Sequence, residues 1–249
     1  MIQLNHISKV FNAGKQNEIQ ALSDLSLSIS KGQFVVVVGS NGSGKSTLIN
    51  LVAGSIMPSK GMVLINGIDV TTLPDYKRSP YIARVFQNPL SGTASDLSII
   101  DNFRLAALRT RSKSLKIGLT HEFRNMVKER LLRLGMGLEN KLDQPMGALS
   151  GGQRQALTLL MGVMDDLDIL LLDEPTAALD PRSAGIVMRI ADDIIRDFGL
   201  TAMLITHNLK DAHSYGDRVV HMVEGKVFRD VSGDEKKVLS TQDMFEWFA

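Results

Sequence analysis

Three short stretches of this chain combine residue types and spacings suited to handling a polyphosphate. Gly39-Ser40-Asn41-Gly42-Ser43-Gly44-Lys45-Ser46-Thr47 fits the pattern G-x-x-x-x-G-K-[ST] over 39–46. Glycines at this spacing let successive backbone N–H groups turn toward phosphate oxygens, because no Cβ blocks the approach. Lys45 then supplies a point charge for the β- and γ-phosphates, and the Ser46 hydroxyl a ligand for Mg²⁺. The second stretch is Asp173-Glu174, which closes the apolar run 169–172. A carboxylate at the end of a buried strand lies where ligands of open α/β sheets bind, so Asp173 can hold the shell of a divalent cation through water. Glu174, one residue on, points elsewhere and suits a base or an orienter of the attacking water. The third stretch is Leu149-Ser150-Gly151-Gly152-Gln153. One hydroxyl, two unshielded N–H groups and a helix N-terminus nearby make a second anion site.

These residues need elements to hold them. Positions 33–38 are β-branched or apolar almost throughout, the pattern of a strand buried on both faces, and they run directly into the glycine-rich loop. Positions 47–53 then read as a helix, which completes the strand–loop–helix context that a phosphate loop requires. Upstream, 2–7 and 22–29 alternate loosely as half-buried strands, and 61–66 is another strand closed by an Asn66-Gly67 turn. From about 91 to 162 the spacing becomes helical, with helices at 99–108, 122–134 and 156–164. Two strand–helix units follow at 169–172 with 183–198 and at 200–205 with 210–215. A hairpin turns at Glu224-Gly225, and a short amphipathic helix is expected over 241–248. Asp165, Asp166 and Asp168 read as a solvated loop rather than a metal cluster. Trp247 and the 12 methionines read as packing.

In chain order, with 149–153 lying between 39–47 and 173–174, the three stretches resemble the ATP-binding cassette ATPases, and the resemblance covers nearly the whole chain. It implies an α/β fold: a P-loop ATPase core with a mixed sheet, an N-terminal antiparallel β region and a helical subdomain insertion. A single domain over 1–249 is expected, its core at 1–90 and 163–249 and its helical subdomain at about 91–162. The resemblance makes 149–153 the signature motif, whose Ser150, Gly151, Gly152 and Gln153 bind the γ-phosphate of an ATP held by another subunit. Two chains would then sandwich ATP head to tail. Gln87, after the strand-like 82–86, matches the loop glutamine that senses Mg²⁺ and water and relays movement to a membrane partner. His207, ending Leu204-Ile205-Thr206-His207, matches the histidine that contacts the γ-phosphate, and Asp180 matches the loop that shapes the partner's site. Phe11 lies where the family places a ring against adenine, although a core phenylalanine is the plainer reading. The other histidines (His6, His121, His213, His221) are assigned no role.

The composition sets limits. Lys plus Arg number 28 against 27 Asp plus Glu, so no global field favours nucleic acid. There is no cysteine for a disulfide framework or thiolate metal site, and no apolar stretch approaches the ~20 residues of a membrane span. The resemblance therefore implies a subunit lying in the cytoplasm, peripheral on the inner face of the membrane. It would drive a separate integral permease served by an extracytoplasmic solute-binding protein. The stretches 85–89, 91–93, 134–137 and 153–160 resemble bacterial ATPases of amino-acid-type uptake, some of tryptophan or tyrosine. An ATPase of iron–sulfur assembly or of an exporter shares the core motifs and is the alternative. A chromosome-organising ATPase would need a long coiled coil between Lys45 and Ser150, and no sustained heptads occur there. The basic stretch holding Arg104, Arg109, Arg111, Lys113 and Lys116 reads as a solvated face, with a permease or lipid contact as the alternative.

Overall fold

The first two strands, β1 (Ile2–Phe11) and β2 (Ile19–Ile29), pair antiparallel over most of their length. The computed structural model describes residues 1–109, 118–165 and 167–248. After β3 (Phe34–Val38) come α1 (Lys45–Ala53), β4 (Lys60–Ile65), the short β5 (Ile68–Asp69) and α2 (Asp75–Arg78). The edge strand β6 (Ile82–Val85) leads to α3 (Ile99–Ala106), α4 (His121–Leu132) and α5 (Gly151–Gly162). The chain then returns through β7 (Ile169–Asp173), α6 (Pro181–Asp197), β8 (Thr201–Ile205) and α7 (Leu209–Ser214). It finishes with β9 (Arg218–Val223), β10 (Lys226–Ser232), α8 (Gly233–Val238) and α9 (Thr241–Glu246).

Two sheets result. One is antiparallel in the order β2-β1-β4-β5; the other is mixed, in the order β10-β9-β3-β8-β7-β6. Only the β9–β10 hairpin in the mixed sheet is antiparallel, while β9, β3, β8, β7 and β6 run parallel. All five residues of β3 are buried, and its side chains divide between two cores. Val35 and Val37 join Leu48, Ile49 and Val52 of α1 and the apolar face of the antiparallel sheet. Phe34, Val36 and Val38 join Phe103, Val127, Leu157 and Val187 from the helices on the opposite face. The near-continuous apolar sequence of β3, β7 and β8 is thus explained by burial on both sides.

The mixed sheet, the N-terminal antiparallel sheet and the helices between β6 and β7 agree with the expected fold class. Two helices begin earlier than expected. α1 starts at Lys45 and α5 at Gly151, so the lysine and the two signature glycines are helical residues rather than loop residues. The basic stretch also needs correction. Arg109 is half-buried and its Nη2 donates to the carbonyl of Gly162 (3.1 Å), so burial lowers its pKa despite the opposing field of Asp165. The Arg104 guanidinium lies 5.5 Å from the centre of the Phe123 ring. Arg111, Lys113 and Lys116 fall outside the described residues, as does Asp166. Asp165 and Asp168 are half-buried rather than solvated. Asp165 faces Arg109 and Arg130, and Asp168 accepts from Asn66 Nδ2 at 2.9 Å.

Candidate functional site

The phosphate loop is built so that helix α1 opens toward it. The N-cap residue is Gly44, whose φ of 97° is left-handed and whose missing side chain leaves the cap without a hydrogen bond. The first-turn N–H groups of Lys45, Ser46 and Thr47 therefore stay available to an anion at the positive end of the helix dipole. Lys45 folds back over the loop, 6% exposed, and its Nζ donates to the carbonyls of Gly39 (2.8 Å) and Ser40 (2.9 Å). Burial lowers its pKa, and the nearby Glu174 carboxylate opposes part of that shift. The Ser43 Oγ is buried without a partner among the described residues. Asn41, Gly42 and Ser46 are exposed at the mouth of the loop. A site with a row of open N–H donors, an underneutralised buried ammonium and an orphaned hydroxyl fits a bound polyphosphate.

The acidic pair splits as its position demands. Asp173 is the last residue of β7 and turns toward β6, where its Oδ2 accepts from Arg84 Nη2 at 2.6 Å. Glu174 breaks out of the sheet with φ 47°, a left-handed conformation uncommon for a non-glycine residue. Its N–H still donates to the Ile205 carbonyl (3.0 Å), while its side chain swings to His207, with Oε2 3.2 Å from Nδ1. His207 follows β8 and is 64% exposed on its side chain, so Glu174 stands between a buried lysine and an accessible imidazole. Lys45, Glu174 and His207 are thereby brought together from three different elements. Ser46, Asp173 and Gln87 offer hydroxyl, carboxylate and amide oxygens, the hard donors that suit Mg²⁺.

The signature forms an exposed, capped helix start. The Ser150 hydroxyl accepts from the Gln153 N–H (3.3 Å), and the Gln153 Oε1 accepts from the Ser150 N–H (3.2 Å), a reciprocal capping box. Arg154, almost fully buried, fixes the preceding loop by donating to the carbonyls of Met146, Gly147 and Leu149. Gly152 lets α5 and α6 meet: a Cβ there would lie 2.8 Å from the Cβ of Ser183. Asp180 caps α6 at the same contact, its Oδ1 accepting from the N–H groups of Arg182 (3.1 Å) and Ser183 (3.0 Å). Those bonds, the Ser183 ones foremost, hold its carboxyl below the usual range.

Gln87 is exposed just beyond β6, and its neighbour Phe86 gives its carbonyl to Gln155 Nε2 of α5 at 2.9 Å. Phe11 is the half-buried last residue of β1, with Lys9 Nζ 5.0 Å from its ring centre. Arg84 carries no local sequence signal, because its partners Asn50 and Asp173 are remote in sequence. His221, assigned no role from sequence, is buried against Trp247, Phe248 and Phe228.

A family model described as "ABC transporter" matches residues 22–177. This chain belongs to that family. It is 39% identical to "Tyrosine transport ATP-binding protein" of Clostridioides difficile (strain R20291), over 100% of this chain and 98% of that one. It is 36% identical to "Methionine import ATP-binding protein MetN" of Sodalis glossinidius (strain morsitans), over 91% of this chain but only 64% of the relative. Among solved structures, an ATP-binding cassette dimer in a post-hydrolysis state with ADP and Pi matches with a TM-score of 0.79. That likeness has 28% identity and covers 93% of this chain and 98% of the other. The cassette therefore binds ATP and couples its hydrolysis to transport. Among its described residues, no helix is long and apolar enough to cross a membrane.

Proposed function

We propose that this cassette is the ATPase subunit of a bacterial importer, driving a separate membrane permease that carries amino acids. The observation that carries the cargo class is the likeness to the tyrosine transport ATP-binding protein across nearly the full length of both chains. A solute-binding protein outside the membrane would deliver the cargo, and the subunit would sit peripherally on the cytoplasmic face.

In this reading the γ-phosphate lies between Lys45 and His207, and Glu174 orients or deprotonates the attacking water from the gap between them. Ser46, Asp173 and Gln87 would hold Mg²⁺, which would supply charge neutralisation on the phosphates. Ser150 is exposed and Gly151 half-exposed at the start of α5 in one chain, which supports their use by a second copy lying head to tail. Phe11, the last residue of β1, supplies the ring for adenine in this reading. For the permease, the cassette offers a groove of about 350 Å³ between β6 and α5, where the apolar Ala83, Leu105, Ala106 and Met161 are joined by the charged Arg84 and Arg109. Leu105 there is 54% exposed, and Gln87 follows on the same strand edge, so a permease segment in the groove would move the glutamine.

The test is purification with the permease gene products and measurement of ATP turnover and amino-acid uptake. Lys45→Ala should abolish turnover while the complex stays assembled, since its side chain bonds only loop carbonyls. Normal hydrolysis by that variant would overturn the site, and failure of any permease to co-purify would overturn the importer.

A further inference from the structure

The contact between Arg84 and Asp173 belongs to none of the motifs above. Arg84 sits on β6 in register with Leu171 of β7, two residues before Asp173, so both side chains leave the sheet on the α1 side. Its guanidinium reaches three parts of the site at once. Nη2 donates to Asp173 Oδ2 at 2.6 Å, and Nη1 donates to Asn50 Oδ1 of α1 at 2.7 Å. The guanidinium carbon lies 4.7 Å from the centre of the Phe86 ring, beside Gln87. The side chains of Arg84 and Asp173 are only 14% and 17% exposed, and Arg84 Nε is buried without a hydrogen-bond partner among the described residues. A half-desolvated cation with one donor unmet is an expensive group to keep at a strand edge unless its orientation is used.

We propose that Arg84 is a positioning residue for hydrolysis: its fork occupies one oxygen of Asp173 and aims the other at the metal's water shell. This rests on the reading of Asp173 as the metal-shell carboxylate. The far end of the fork is anchored on Asn50, within the helix that carries Lys45 and Ser46. The carboxylate is thereby held in a fixed relation to the phosphate loop rather than left to rotate about its own side-chain bonds. A lysine presents its donors from a single nitrogen and lacks the planar fork that holds Asp173 and Asn50 from two separate nitrogens in fixed geometry. Phe86 gives its carbonyl to Gln155 of α5, so the same clamp connects the signature helix to Asp173 within one chain.

Electrostatics alone predicts the opposite result on removal, which makes the proposal testable. Losing a positive charge beside Asp173 should strengthen cation binding; losing its orientation should weaken it. The experiment measures binding of a non-hydrolysable ATP analogue to the full chain by calorimetry, once in EDTA and once in Mg²⁺. The gain in affinity on adding Mg²⁺ is read for wild type, Arg84→Met, Arg84→Lys and Asp173→Asn, and for Arg84→Met combined with Asp173→Asn. The gain should shrink about tenfold in Arg84→Met, as for the loss of an outer-shell partner of a metal carboxylate. Arg84→Lys should recover only part of it. Affinity in EDTA, which reads Lys45 and the loop, should hold in all variants. Added to Asp173→Asn, Arg84→Met should change nothing further. If Arg84→Met leaves the gain unchanged or larger, Arg84 is a structural ion pair and the proposal falls. Should Arg84→Met fail to fold, Asn50→Ala keeps the ion pair, frees its anchor and must show a reduced gain for the proposal to stand. Wild type that binds in EDTA but gains nothing from Mg²⁺ overturns both the metal-shell reading of Asp173 and the clamp. Wild type that binds neither in EDTA nor in Mg²⁺ overturns the assignment of the phosphate loop instead.

Discussion

Replacing Arg78 by Met should destabilise the cassette by about 3 kcal/mol without disabling its ATP site. Arg78 is fully buried behind the C-terminal end of α1. It donates to the carbonyls of Leu51 (2.7 Å), Val52 (3.0 Å) and Leu73 (2.8 Å), and more weakly to that of Thr71 (3.3 Å). Leu51 and Val52 lie in the last turn of the helix, where carbonyls lack i+4 partners and Leu51 keeps only a 3.3 Å bond from the Gly54 N–H. Methionine fills the space but leaves these acceptors facing apolar atoms, at roughly 1–3 kcal/mol for each one fully stranded. Part is offset, because burial already penalises the guanidinium and lowers its pKa to about 10 against the pull of Asp69. A net loss of about 3 kcal/mol corresponds to a fall in Tm of roughly 6–12 °C for a chain of this size. Lys45 is at the other end of the helix, about 12 Å away at 1.5 Å per residue, so nucleotide affinity measured below the transition should be nearly unchanged. The assay is thermal unfolding beside calorimetric ATP titration for wild type, Arg78→Met and Arg78→Lys. A loss below about 1 kcal/mol in Arg78→Met would mean that water satisfies those carbonyls and that the capping argument is wrong.

Two further outcomes follow from the site. Lys45 is held below its ordinary range by burial, and bound phosphate raises it again, so nucleotide binding should take up a proton in the alkaline window below 10.5, with affinity falling as pH rises. The sign for folding is set by the same depression: the native state binds fewer protons than the unfolded chain, so the penalty is full below the native pKa and fades as pH rises toward the unfolded value. ATP titrations at about pH 9 in two buffers of different protonation heat should give different apparent enthalpies; identical heats would refute the uptake. Gly152→Ala should cost about 1–3 kcal/mol through overpacking against Ser183, since the clash is with a Cβ that cannot rotate away. Gly151→Ala meets only the flexible tip of Leu179 at 3.1 Å and should be close to neutral in thermal unfolding, so equal losses in both would contradict the packing argument.

Legibility in the sequence followed the range of the interactions involved. The strands beneath the site were readable because two-sided burial writes an unbroken apolar run, as in 34–38 and 169–172. The phosphate loop was readable because its function needs glycines and a lysine at fixed local spacing. The start of α5 was obscured by Gly151 and Gly152, which are poor helix formers, yet Ser150 and Gln153 form a capping box that the S-x-x-Q spacing announces. α8 has no sequence signal because it is short and polar; its own Lys236 ties it to the carbonyls of Tyr215 and Gly216 at 2.6 Å each. Arg78, Arg84 and Arg109 look like surface charges in sequence, and only the fold brings remote carbonyls and a carboxylate to them. The aromatic surroundings of His221 come from β10 and the segment after α9, which no local pattern connects to it.

The central claim is that one chain's Lys45, Glu174 and His207 act on an ATP completed by Ser150 of a second copy. It is tested most directly by light scattering of Glu174→Gln with ATP, beside the double variant Glu174→Gln/Ser150→Arg. The first change keeps the side chain's size and removes the charge that activates water, so bound ATP should persist and hold two copies together. Arginine at the exposed N-cap of α5 replaces a small hydroxyl with a long cation at the trans surface and breaks the capping box. The account predicts an ATP-dependent dimer for the single variant and a monomer for the double variant, with ATP still bound at Lys45. A dimer that forms equally well in both would place the signature away from the interface and contradict the shared site.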